Sequence, residues 1–147
     1  MLSRMKAIKP RQGPWGEIPL NRMAMLGAVA AVGLVIQIIL GFALAGSGNP
    51  TGSAIVYPHI VIGILGLVLV AYLAMSILRT AGSSTVRLVY VLALLLTLAQ
   101  VALGLDLLET ASSSGVLMAH QGIALLILVL MAAGGALSAR SRRMSAA

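Results

Sequence analysis

Apolar and polar positions divide the chain into long apolar runs separated by short polar breaks. The runs cover about Met23–Ala45, Ala54–Leu78, Leu88–Leu108 and Gly115–Leu137. Each reaches the roughly 20 residues a helix needs to cross the hydrocarbon core of a bilayer. The first break, Gly46–Ser53, reads GSGNPTGS and is made almost wholly of turn formers. The second, Arg79–Arg87, is polar and basic, and the third, Glu109–Ser114, is short and small. The pattern predicts four membrane-spanning helices.

Composition strengthens this reading. Of the 147 residues, 60% are hydrophobic and 9% charged, and the mean hydropathy is +1.07. A soluble domain of this size still exposes roughly a third of its chain surface. That surface would have to be apolar here, so the solvent is a lipid bilayer. The chain has no cysteine, which excludes a disulfide framework and any thiolate metal site.

The net charge of +7 invites a nucleic-acid reading, but its distribution argues for topology instead. Arg4, Lys6, Lys9, Arg11 and Arg22 precede the first run, Arg79 and Arg87 lie between the second and third, and Arg140, Arg142 and Arg143 follow the fourth. The two opposite loops carry no cation, and Asp106 and Glu109 lie on their side. An excess of Lys and Arg marks the cytoplasmic face. With aromatics at 3%, a base-stacking surface is not expected either.

The expected fold is therefore an all-α integral membrane four-helix bundle, multi-pass in the cell membrane, with N- and C-termini cytoplasmic. Residues 1–21 form a basic cytoplasmic arm with Pro10, Pro14 and Pro19 as breakers and Trp15 suited to the headgroup level. Residues 22–138 form the four-helix transmembrane domain, and 139–147 a basic cytoplasmic tail.

Two antiparallel helical hairpins make up the bundle, and their sequences resemble each other. Gln37 and Gly41 stand four apart in the first, as Gln100 and Gly104 do in the second, and a histidine follows each pair. The separations are 22 residues from Gln37 to His59 and 20 from Gln100 to His120. Both hairpins start and return on the cytoplasmic side, so the repeat is parallel, about an axis along the membrane normal.

His59 and His120 are the only histidines. Each lies about five residues inside the outer end of its span, roughly 7 Å below the surface at the helical rise. The second and fourth helices run the same way, so the two imidazoles are expected to face each other at one depth. That arrangement suits axial ligation of a haem iron. Small residues would make room for the macrocycle. His59, Gly63 and Gly66 share one face of the second helix, and His120 and Ala124 share one face of the fourth. Gly33, Gln37, Gly41 and Ala45 form a stripe on the first helix, and Ala93, Thr97, Gln100 and Gly104 form one on the third.

Such stripes are also ordinary packing faces in membrane bundles, whereas intramembrane ionisable residues mark functional sites by default. Two histidines without a carboxylate or thiolate make a poor zinc or non-haem iron site. No Ser/His/Asp set exists for acyl transfer. Asp106 and Glu109 read as the outer end of the third helix, with a proton-relay role for Asp106 as the alternative. Haem propionates would meet no cation on the outer side. Helix N-termini and the donors Tyr57, Asn49, Thr51, Ser53, Gln121 and Ser112–Ser114 would have to serve.

The pieces QIILG and YPHIVIGILG in the first hairpin, with QVALG and MAHQGIALLIL in the second, resemble the haem A synthase family. The resemblance covers about residues 30–135. Typical members have eight transmembrane helices in two four-helix halves, each with a histidine pair on its second and fourth helices. This chain is similar to a single half, like the compact archaeal form. The resemblance implies His59 and His120 as haem ligands, with haem b or haem O/A as the cofactor. It implies oxidation of the haem O methyl group to the formyl group of haem A for terminal oxidases. Expected partners are then a terminal oxidase, a haem O synthase and further copies of the chain.

The family usually has a Glu three residues before the first histidine and an Arg just after it. This chain has Val56 and Ile60 there, and it lacks the outer-loop cysteine pair of many members. The resemblance therefore assigns no catalytic residue. A non-catalytic bis-histidine haem b protein, carrying electrons or serving as a respiratory-complex subunit, stays open. So does a cofactor-free accessory membrane protein.

Overall fold

The computed structural model describes residues 20–48, 51–79, 83–109 and 114–146, with side chains described from 22 to 141 within those ranges. The basic arm ahead of the first helix, with Trp15, lies outside them, as do Asn49 and residues 110–113. The described residues form four helices: α1 Leu20–Gly46, α2 Val56–Arg79, α3 Ser84–Glu109 and α4 Ser114–Ala146. All four are long and apolar enough to cross a membrane, so the chain is an all-helical, multi-pass membrane protein.

Helix ends follow local chemistry. Ser83 caps α3: its Oγ accepts from the Val86 N–H at 3.4 Å and its carbonyl from the Arg87 N–H at 3.2 Å. Ser53 plays a similar part ahead of α2, where its Oγ accepts from the Ile55 N–H and its carbonyl from the Val56 N–H. Pro58 falls in the first turn of α2, where a missing N–H costs least. Beyond α1, Gly48 takes a φ of 68°, a left-handed conformation suited to glycine after a helix end. The largest departure from the expected spans is α4, which continues through the basic tail to Ala146. No Gly or Pro interrupts Ala136–Ala146, and Ala and Arg sustain a helix in water as well as in lipid. Hydropathy marks where the apolar surface ends, not where the backbone unwinds.

The helices pack around a square, α1 against α2, α2 against α3, α3 against α4 and α4 against α1, with no diagonal backbone contact. Gly41 lies beside His59, Gly104 beside His120, and Gly27 beside Gly135. Neighbours therefore run antiparallel, and the diagonal helices α2 and α4 run parallel. The start of α1 and the end of α4 share one end of the bundle. In a medium without water, polar side chains must find partners within the protein. Thr97, Ser138 and Ser76 donate back to the carbonyls four residues earlier, those of Ala93, Gly134 and Tyr72, at 2.7, 2.8 and 2.6 Å.

The packed core is confined to one half of the bundle. Met23 and Ala30 of α1 meet Val70, Leu73, Ala74 and Ile77 of α2, Val86, Tyr90 and Ala93 of α3, and Ile127 and Met131 of α4. All sit toward the end where α1 begins and α4 finishes. Tyr90 is fully buried because glycines on the neighbouring α4 and on the diagonal α1 leave room for its ring and hydroxyl. A Cβ on Gly134 would lie 3.0 Å from Tyr90 Cζ, and one on Gly27 would lie 3.1 Å from its hydroxyl and 3.2 Å from Gly135 Cα. In the opposite half, among the described residues, only Val56 and Ala124 are buried.

Gly27→Ala is expected to push α1 from α4 and destabilise the bundle by about 1–3 kcal/mol, the usual cost of overpacking. Gly122→Ala, where a Cβ meets nothing within 4 Å, is expected to stay within about 1 kcal/mol of the parent. Thermal unfolding of both variants in detergent measures the difference, and equal melting temperatures would refute the close α1–α4 contact.

Candidate functional site

His59 enters from the first turns of α2 and His120 from the first turns of α4. Those helices are diagonal and parallel, so the side chains converge on the bundle axis. Their ring centroids are 6.3 Å apart and their planes are tilted by 54°. Both rings are partly buried.

Each ring rests on a neighbouring helix at a residue without a side chain. A Cβ on Gly41 would lie 3.2 Å from His59 Cε1 and 3.9 Å from Nδ1. A Cβ on Gly104 would lie 3.3 Å from His120 Cε1 and 3.9 Å from Nδ1. The near-identity of the two sets follows from matched spacing: glycine four residues after glutamine, opposite a histidine. The missing Cβ lets each imidazole reach main chain that a side chain would shield. His59 lies by the backbone of Gln37, and His120 by that of Gln100. The approach stops short of a full hydrogen bond, since both Nδ1 atoms are buried without a partner.

The other nitrogen of His59 is engaged. The Gln37 side-chain amide donates to His59 Nε2 at 3.3 Å. With the amide nitrogen as donor, Nε2 carries the lone pair and Nδ1 the proton. Gly63, one turn after His59, provides the space, since a Cβ there would lie 3.0 Å from Gln37 Nε2. Gln37 Oε1 and Gln100 Oε1 are buried without partners.

The other expected site residues are placed less uniformly. Ala124 is buried one turn after His120. Gly66 is only partly buried, yet a Cβ there meets nothing within 4 Å, and the same holds for Gly33 on α1. Tyr57 does not join the cluster: it is 75% exposed on the outside of α2, because its neighbour His59, two positions on, takes the inward face. Thr51 is exposed as well, and Ser53 and Gln121 are partly so. The described cations Arg22, Arg79, Arg87 and Arg140 all belong to the opposite end of the bundle. Sequence reading passed over Gly27, Gly134, Gly135 and Tyr90. They stand outside the Gln/Gly/His pattern, and the signal for them was the glycine pair opposite a tyrosine of the facing helix.

Among the described residues, no group of three or more His, Cys, Asp or Glu converges on a metal position. A metal held here would need most of its ligands from elsewhere. Compared with family models, curated proteins and solved structures, the chain matches none.

Side-chain ¹⁵N NMR of the metal-free protein in detergent is expected to show His59 predominantly as the Nδ1–H tautomer. Gln37→Leu should shift it toward Nε2–H. An unchanged tautomer in that variant would remove the Gln37–His59 bond from the site.

Proposed function

We propose that this chain holds a haem between His59 and His120 within the cell membrane, with both termini on the cytoplasmic side. The observation that carries the proposal is the 6.3 Å between imidazole centroids. A metal–imidazole bond of about 2 Å, plus roughly 1.2 Å from that nitrogen to its ring centre, places opposed axial imidazoles about 6 Å apart, centroid to centroid. A porphyrin supplies the equatorial ligands that the protein lacks.

Further features support the fit. The two buried Nδ1 atoms without partners are the donors that a ligating imidazole commonly turns to a backbone carbonyl. The bare backbone at Gly41 and Gly104 keeps those carbonyls within reach. The sparse burial in the histidine half, with open space at Gly33 and Gly66, leaves room that the tightly packed half does not.

A bound haem supplies an iron that cycles between ferrous and ferric states and so carries single electrons. His59 and His120 would hold the group between them, and the apolar helices would exclude water from it. With both axial positions taken by histidine, the arrangement favours a bis-histidine haem b electron carrier, alone or as a respiratory-complex subunit. Apolar Val56 and Ile60 beside His59 suit that role. A second reading rests on the family-like pieces in all four helices. In it the chain is a compact haem A synthase-like enzyme whose substrate is the haem, and a haem O synthase and a terminal oxidase are its neighbours. The cytoplasmic orientation rests on the sequence positions of the ten cations, which all precede the first run, lie between the second and third, or follow the fourth.

The purified protein is expected to show a haem Soret band with a low-spin spectrum, and the low-spin signature is expected to disappear in both His59→Ala and His120→Ala. A colourless wild-type protein would reject haem binding. Co-expression with a haem O-producing strain, followed by pigment extraction, separates the readings: haem A supports the enzyme, and haem O or haem b alone supports the carrier.

A further inference from the structure

Resting on the haem reading, we propose that the two axial histidines are inequivalent, with His120 the standing ligand and His59 the exchangeable one, and with Gln37 as the positioning residue that sets the difference. The two sides of the site share the glycine seat under the imidazole and differ one turn further along α2 and α4. On α2 that position is Gly63, and its bare backbone leaves room for the Gln37 amide, whose nitrogen would lie 3.0 Å from a Cβ there. The amide therefore lies over α2 and donates to His59 Nε2 at 3.3 Å. On α4 the matching position is Ala124, which carries that Cβ and is 8% exposed. Gln100 is not free to lie over α4 in the same way, and no hydrogen bond joins its side chain to His120 among the described residues.

The consequence is competition at one nitrogen. A histidine ligates through a lone pair, and on His59 the Nε2 lone pair already accepts from an amide. Ligation there must break the Gln37 bond, whereas ligation by His120 displaces no amide. His59 therefore binds more weakly by roughly two- to tenfold, the net worth of one hydrogen bond. When His59 leaves, the Gln37 amide recaptures it, and a small neutral ligand such as carbon monoxide or imidazole enters on the α2 side. The Gly/Ala difference one turn after each histidine thus turns a pair of ligands into an anchor and a gate.

The test uses the full chain in detergent, loaded with haem b. His59→Ala is expected to bind carbon monoxide when reduced and to hold haem roughly two- to tenfold more tightly than His120→Ala does. Gln37→Leu should lower the carbon monoxide affinity of the reduced protein by roughly two- to tenfold. The paired exchange Gly63→Ala with Ala124→Gly keeps composition constant and should reverse the roles, so that haem retention then depends on His59. Equal haem loss in the two histidine variants, or no reversal in the exchange, would overturn this inference while leaving bis-histidine binding intact. Failure of the wild type to bind haem b would instead remove the reading beneath it.

Discussion

Each imidazole of the pair closes to van der Waals distance of a helix backbone at a residue that has no side chain. The seats at Gly41 and Gly104 fix where the rings lie, because a Cβ at either would sit 3.2–3.3 Å from Cε1. They also determine what the rings face. Without a Cβ, the main chain of Gln37 or Gln100 lies beside each ring, and both Nδ1 atoms are buried there. The separation of the rings and the burial of both Nδ1 atoms depend on this close approach of an aromatic ring to bare backbone.

Packing in the rest of the bundle protects that arrangement by segregation. One half is filled by large side chains around Tyr90 and drawn together by the glycines at the α1–α4 contact. In a bilayer no hydrophobic force pulls apolar helices together, so close contact of small residues and dispersion hold them. The histidine half lacks such filling. A bundle pinned tightly at one end can leave its helices further apart at the other without losing its topology. In chemical terms the first half supplies rigidity and the second a space lined by nitrogen and amide groups.

The distribution of charge adds a constraint to function. Every described cation lies at the packed end, so any anionic group of a ligand in the histidine half has only helix N-termini and side-chain dipoles to meet. The described carboxylates Asp106 and Glu109 lie at the histidine end instead, at the close of α3.

The number of helices and their approximate limits were legible in the chain, because bilayer thickness converts hydropathy directly into length. The matched Gln/Gly/His spacing was legible too, since helical periodicity places residues four apart on one face. The contact partner of each glycine was not: one helix carries no information about which neighbour it meets, and only the square packing put Gly41 under His59 and Gly104 under His120. Nor could sequence place Tyr57 outside the cluster, extend α4 through its charged tail, or separate a packed half from an open one. The weight of Gly63 against Ala124 was likewise invisible. A single methyl group acquires meaning only when a side chain from another helix comes to lie over it, and that proximity is a property of tertiary packing.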